Sequence, residues 1–373
     1  MATKKRILLL NYEFPPLGGG ASPVSYDIAE GLSETGEFDI DVVTMSYKLL
    51  PAYEKINDSF RIYRVKSLRS RKEICHPWEQ LTYLLFGYLK CRSLLKQNYY
   101  DICHSHFIIP TGILSYILKK QFGLPFIVTA HGSDVIGYNS RFKMIYPFLV
   151  KIWKIILDNA KIVISPSDFL RNKIVKVYPR FDRKKIIIIP NGIDIEKFHP
   201  QSKRKIIFSS GRLLRSKGFQ HLIRAVSDED IKWEVHIAGD GPMMNELKQL
   251  AERSKTKIIF HGWLDNNGKE YKDLLEQAAI FCLLSKYESF GMVLLEAMLA
   301  GCAVITSNSS GCVEIINGSG LVVPPENDQT IGKTINLLVL DWNRISALGD
   351  EGRQRAIKFY DREIISRQYS KYL

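Results

Sequence analysis

Along the chain, short uncharged runs alternate with stretches whose apolar positions recur at helical spacing. Arg6–Asn11 (RILLLN) reads as a buried strand, and the glycine-rich loop Pro15–Gly20 follows it. From about Ser22 to Glu34 the apolar positions Val24, Ile28 and Leu32 predict a helix. Phe38–Thr44 is the next strand. Further apolar runs at Phe126–Ala130, Ile162–Pro166 and Lys185–Pro190 alternate with helical stretches near 78–96, 110–122, 142–158 and 168–178. The pattern then restarts, with a strand at Lys205–Ser210, a loop at Gly211–Gly218 and a helix opening at Phe219–Ala225. Strands at Trp233–Ala238, Ile258–Phe260, Ile280–Leu284 and Ala303–Thr306 follow, and about Glu351–Leu373 reads as a helical tail. Such alternation predicts an α/β fold with parallel sheets covered by helices on both faces. The turn Pro190-Asn191-Gly192-Ile193-Asp194 separates the two runs. We therefore expect two doubly wound, Rossmann-like domains facing a cleft, over residues 1–190 and 191–354. Sheets of this kind bind ligands beyond the C-terminal ends of their strands. The loops that follow strands should therefore carry the chemistry.

Composition narrows the class. At 373 residues, 46% apolar and 24% charged, the chain has ample core-forming material and is neither disordered nor collagen-like. The net charge of +13 is unevenly placed: residues 1–190 hold 28 Lys/Arg against 16 Asp/Glu, and the remainder is nearly neutral. That asymmetry points one half at an anionic partner. Six cysteines with no C-x-x-C pair read as reduced thiols of a cytoplasmic protein. The first apolar run is too short for a signal peptide, and the longest uncharged runs are broken by polar residues, so no membrane span is expected. Two basic concentrations stand out. Arg61–Lys72 is followed by the apolar stretch Leu81–Leu89, and Arg141–Lys154 mixes cations with aromatics. Cations beside aromatic and apolar groups suggest a peripheral element on an anionic membrane surface. No nucleic-acid recognition motif accompanies the charge, so no nucleic acid is expected.

Several loops carry candidate chemistry. Gly18, Gly19 and Gly20 stand between a strand and a helix, where the backbone can approach an anion. His131, in Thr129-Ala130-His131-Gly132-Ser133-Asp134, follows a strand and could bond a substrate hydroxyl. Gly211-Arg212-Leu213-Leu214-Arg215-Ser216-Lys217-Gly218 is not a Walker loop, but Arg212 and Lys217 suit a diphosphate. Lys286-Tyr287-Glu288-Ser289-Phe290-Gly291 leads into an apolar helix that contains Glu296, a carboxylate that needs a partner if buried. Cys103-His104-Ser105-His106 resembles a metal-binding pattern but lacks further ligands. Asp39-Ile40-Asp41 matches a metal-binding D-x-D only by coincidence, at the start of a strand.

Taken in order, these loops resemble the family 4 retaining glycosyltransferases of the GT-B fold, over essentially the whole chain. The resemblance rests on Pro-Pro-x-Gly-Gly at 15–19, His131–Asp134, Asn191–Asp194, Gly211-Arg212 with Lys217-Gly218, Gly239-Asp240-Gly241-Pro242, and Glu288 with Glu296 as E-x7-E. It implies a hexosyltransferase that uses a UDP- or GDP-sugar without a metal or cofactor. Arg212 and Lys217 would hold the donor diphosphate beside Gly211. Glu296 would bond the ribose hydroxyls. Glu288 and the backbone N–H groups of Phe290 and Gly291 would contact the transferred sugar. His131 would sit near that sugar and Gly19 near the phosphate, with Gly18 and Asp134 on the acceptor side. The C-terminal half would bind the donor and the N-terminal half the acceptor, with a helix at about 355–373 packing back on the latter. One departure is Ser310-Gly311, where the family usually has Gly-Gly before the residue equivalent to Glu314. With the basic N-terminal half, this implies a lipid-linked or cell-envelope glycan acceptor, met from the inner face of the membrane. The alternatives are a nucleotide-sugar epimerase on the same fold and a non-catalytic binder of anionic surfaces.

Overall fold

The computed structural model describes residues 4–137, 146–228 and 231–373. The chain divides into two compact units, residues 1–192 with 362–373, and residues 193–361.

The first unit is an eight-stranded sheet. Strands β1 (Lys5–Leu10), β2 (Phe38–Met45), β3 (Tyr53–Asn57), β4 (Phe60–Val65), β5 (Ile102–His106), β6 (Phe126–Thr129), β7 (Val163–Ser165) and β8 (Ile186–Ile188) lie in the order β3-β4-β2-β1-β5-β6-β7-β8. All neighbours are parallel except the β3–β4 hairpin. That hairpin was not expected. β4 overlaps the stretch read as a basic surface, and its apolar Phe60, Ile62 and Val65 are buried beside Arg61 and Arg64. The helices α1 (Ala21–Glu34), α2 (Pro77–Gln97), α3 (Thr111–Phe122), α4 (Tyr146–Asn159) and α5 (Asp168–Val177) connect the strands. One core joins Leu8, Leu10 and Val128 of the sheet to Tyr83 of α2, Leu114 of α3 and Trp153 of α4.

The second unit has six parallel strands, β9 (Arg204–Ser210), β10 (Glu234–Ala238), β11 (Lys257–Gly262), β12 (Ala278–Leu283), β13 (Ala303–Ser307) and β14 (Leu321–Val323). Their order is β11-β10-β9-β12-β13-β14. Among its helices, α6 is Phe219–Ser227, α7 Met244–Ala251, α8 Lys269–Gln277, α9 Met292–Leu299, α10 Cys312–Ile316, α11 Asp328–Val339 and α12 Trp342–Tyr360. In each unit the strand order reverses beside the first strand, at β1 and at β9. That switch point is where a doubly wound sheet opens a crevice for a ligand. The glycine-rich loops after β1 and β9 both start there.

The helical tail is two helices, not one. Residues 355–360 belong to α12 and the second unit: Ala356 and Tyr360 enter its core, and Arg355 Nε donates to Ile315 O at 2.5 Å. The backbone leaves helical geometry at Asp361, which bridges beside Ile193. Only then does α13 (Arg362–Ser370) join the first unit, where Arg362 pairs with Glu30 of α1. The return segment therefore starts seven residues later than the expected 355.

The basic stretch Arg61–Lys72 is also less exposed than its composition suggests. Arg61 Nε donates to the buried Asp41 at 2.6 Å, and Arg64 pairs with Glu54 at 2.7 Å. The Arg69 side chain is enclosed, with Nε on Arg71 O and Nη2 on Lys72 O, each at 2.9 Å. Lys66, Arg71 and Lys72 remain exposed. Asp41, the second acid of the D-x-D, also accepts from Tyr100 Oη at 2.5 Å and Arg6 at 3.1 Å, so it serves the fold. Of the second basic concentration, residues 141–145 lie outside the described residues; α4 supplies the rest.

Candidate functional site

The candidate residues form two groups, one in each unit. In the first unit, Gly18 donates its N–H to Lys72 O at 2.9 Å, anchoring the loop after β1. Beyond it, a Cβ at Gly19 or Gly20 would meet no atom within 4 Å. The loop thus presents bare backbone just ahead of α1.

The loop after β6 is built by Asp134. Its Oδ1 accepts the N–H groups of His131 and Gly132, each at 2.9 Å, and its Oδ2 accepts that of Ile108 at 2.7 Å. Trp153 of α4 donates to Asp134 O at 3.1 Å. Asp134, expected on the acceptor side, is therefore a buried staple with a carboxylate occupied by backbone. Burial raises its pKa, although the amide bonds pull the other way. The staple presents His131, whose Nε2 lies 3.0 Å from Nδ1 of His106 in β5. His104, two residues back on the same face of the strand, reaches Thr129 Oγ1 at 2.8 Å. Tyr369 of α13 closes the cluster, with Oη 3.4 Å from Thr129 Oγ1 and its ring 5.6 Å from His104. Burial drives the pKa of His104 and of His131 down to about 3, and holds His106 well below the usual 6.5. All three imidazoles are thus neutral at pH 7. The Cys-His-Ser-His run is therefore support for His131. Among the described residues, no group of three or more His, Cys, Asp or Glu could hold a metal.

In the second unit, the loop after β9 is braced by the loop after β10. Leu213 N donates to Asp240 O at 2.9 Å, and Met243 N to Leu213 O at 3.1 Å. The brace needs Gly239: its φ is +140°, and a Cβ there would overlap the Gly211 carbonyl. Arg215 is held by both oxygens of Glu246 at 2.8 and 2.9 Å. Arg212 remains exposed, and Lys217 Nζ bonds Glu288 Oε2. The loop after β12 lies alongside, with Lys286 N donating to Ser216 O at 2.8 Å. It ends at Gly291, the N-cap of α9, where φ is +104° and a Cβ would fall 2.6 Å from Cys312 Sγ. The Phe290 ring faces the core, 5.9 Å from that of Tyr360, so only its backbone is available to a ligand.

Glu296, one turn into α9, is 4% exposed and fully engaged. Lys197 Nζ lies 3.3 Å from Oε1, while Asn266 Nδ2 at 3.3 Å and Tyr271 Oη at 3.0 Å reach Oε2. Tyr271 of α8 also reaches Ser210 Oγ, at the end of β9, at 3.0 Å. Lys197, Ser210, Asn266 and Tyr271 were not singled out from the sequence. The apolar partners of Tyr271, four residues apart on a helix, read as ordinary core, and nothing near Lys197 marks it. The carboxylate of Glu296 in so apolar a helix was the available signal, since a buried acid demands donors.

These two units, with loops at two switch points, define an α/β protein built to hold an anionic ligand. Residues 18–197 match the Glycosyltransferase Family 4 family, and residues 192–355 match Glycosyl transferases group 1. The chain is 29% identical over 363 residues to an uncharacterized glycosyltransferase from Methanocaldococcus jannaschii, covering 90% of each. It is also 29% identical over 351 residues to the Escherichia coli UDP-Gal:alpha-D-GlcNAc-diphosphoundecaprenol alpha-1,3-galactosyltransferase, covering 88% of this chain and 84% of that one. The fold matches sucrose-phosphate synthase from Thermosynechococcus elongatus at a TM-score of 0.84, with 21% identity and coverage of 99% and 98%. The chain belongs to the family 4 glycosyltransferases and has the GT-B fold. It is a hexosyltransferase enzyme that uses a nucleotide sugar, which decides against the epimerase and binding-protein alternatives.

Proposed function

We propose that the chain moves a hexosyl unit, with retention of configuration and without a metal, from a UDP- or GDP-sugar to a lipid-linked or cell-envelope glycan at the inner membrane surface. One observation carries this reading: at the C-terminal end of one sheet, Lys217 bonds Glu288 across the loops after β9 and β12, and Tyr271 ties Glu296 of α9 to Ser210 at the end of β9. Arg212 and Lys217 hold the donor diphosphate. As the nucleoside diphosphate departs, charge builds on its phosphates, and fixed cations beside the N-terminus of α9 stabilise it. Glu296 receives the ribose hydroxyls. Glu288, with the backbone N–H groups of Phe290 and Gly291, receives hydroxyls of the sugar. The first unit offers the neutral imidazole of His131 to a sugar hydroxyl, with Gly18 and Gly19 in its loop after β1. The net charge of +12 on residues 1–190 and the diphosphoundecaprenol-linked acceptor in the E. coli relative's name support a lipid-linked acceptor. Among the described residues no helix is long and apolar enough to cross a membrane, so association is peripheral in this reading.

The test incubates the protein with UDP-, GDP- and ADP-sugars, with and without a membrane-lipid extract, and reads released nucleoside diphosphate. Release from one donor, stimulated by extract and lost in Lys217→Ala, is the expected result. Anomeric analysis of the product tests retention. Inversion, or release indifferent to every acceptor in the extract, would overturn the corresponding part.

A further inference from the structure

The helix α2 is apolar on two opposite faces, and one of them is uncovered. Tyr83, Gly87, Cys91 and Leu94 face inward and are buried. On the outer side Trp78, Leu81, Leu85 and Leu89 are 49%, 66%, 58% and 49% exposed. At about 100° per residue they form one row, roughly 16 Å long. The next two positions on the same row are the exposed cations Arg92 and Lys96.

The row does not end with the helix. The loop at 66–72 is fastened to the start of α2: Ser70 N and Oγ donate to Glu79 Oε1 at 2.9 and 2.7 Å, and Leu68 N donates to Thr82 Oγ1 at 3.3 Å. This adds Leu68, 65% exposed, together with the exposed Lys66, Arg71 and Lys72. A pocket of about 380 Å³ lies where the loop, α2 and the end of β2 meet, lined in part by Tyr47, Lys48, Lys66 and Phe86. Glu73 is the exposed acid of this loop, while the Glu79 carboxylate is taken up by Ser70 and by His76 N at 2.7 Å.

We propose that the outer face of α2 and the 66–72 loop form the surface by which the first unit docks on an anionic lipid bilayer, with a headgroup phosphate in the Lys48–Lys66 pocket. The inference rests on the reading that the acceptor is met at a membrane, and it assigns the surface. Leucines on the row enter the acyl boundary, Trp78 sits at the level of the headgroups, and the long cationic side chains reach out to phosphates. The charge decides against a second copy of the chain as occupant. A two-fold interface would press the same patch against itself and set its lysines and arginines against one another.

Flotation with vesicles of phosphatidylcholine alone, or mixed equally with phosphatidylglycerol, tests the assignment. The wild-type protein should float with the mixed vesicles and stay down with phosphatidylcholine. The variant Leu81→Gln/Leu85→Gln/Leu89→Gln should bind mixed vesicles at least tenfold more weakly. Lys48→Gln/Lys66→Gln should lose the preference for phosphatidylglycerol while its row is intact. Both variants should keep wild-type release of nucleoside diphosphate from donor in solution. Wild-type protein that does not float, or a triple variant that floats as well as wild type, overturns the proposal. A dimer in sedimentation that the triple substitution abolishes would overturn it in favour of self-association. Failure of donor turnover in the wild type itself would instead refute the proposed function.

Discussion

Tyr271 Oη stands 3.0 Å from both Glu296 Oε2 and Ser210 Oγ, so one buried hydroxyl joins the carboxylate of α9 to the strand that launches the Gly211–Gly218 loop. Bonds to a charged group contribute about 1.5–3 kcal/mol, or roughly a factor of ten or more. Tyr271→Phe keeps the ring and removes the bond. The donor KM should rise about tenfold, with a smaller change in kcat and an unchanged fold by circular dichroism. Steady-state kinetics check it, and an unaltered KM would remove Tyr271 from the site.

Lys217→Ala removes the cation bonded to Glu288. Loss of a group that stabilises developing charge typically costs about 100- to 1,000-fold in kcat. That range is expected here, with a melting temperature close to wild type because the residue is only half-buried. Lys217→Arg should restore part of the rate. A variant that keeps full activity would transfer the role to Arg212.

The close approach of Gly239 to the Gly211 carbonyl should be sensitive to substitution at Gly239. Gly239→Ala forces a Cβ into the Gly211 carbonyl at a φ of +140°, where side chains are strained at about 1–3 kcal/mol. Both the melting temperature and the donor affinity should fall together, since the brace and the cation loop move as one. Calorimetric titration with the nucleoside diphosphate reads the second effect.

Chelation should leave the rate intact. The cations assigned to the diphosphate are side chains, so EDTA treatment followed by assay is expected to give the untreated activity. Loss that Mg²⁺ or Mn²⁺ restores would refute metal independence.

Acid should weaken the first unit. His104 and His131 titrate near 3 in the folded chain and His106 well below 6.5, against about 6.5 once unfolded. Between those values the unfolded chain binds more protons, so stability is flat above about pH 6.5 and falls as pH drops towards 3. Urea midpoints across that range should show the slope, and His106→Asn should flatten it. Midpoints that hold steady from pH 7 to 5 would contradict the cluster's buried, neutral state.

The alternation of strand and helix determined the α/β class, the restart near residue 191 and the loops that carry Lys217, Glu288 and His131, because each depends on neighbours within about a dozen residues. The β3–β4 hairpin escaped that reading, since its arginines are satisfied by Asp41 of β2 and by Glu54 across the hairpin itself. Long-range packing also broke the tail at Asp361: Tyr360 enters the core of the second unit, and Tyr369 is buried against Thr129 and His104 of the first. Asp134, expected on the acceptor side, has its carboxylate occupied by three backbone amides that the sequence does not show. The donors of Glu296 arrive from positions 197, 266 and 271, which only the tertiary fold brings together. The stretch Leu81–Leu89 read as a surface element as a whole, and only packing divides it, leaving Leu81, Leu85 and Leu89 outside and turning Tyr83 and Gly87 to the core.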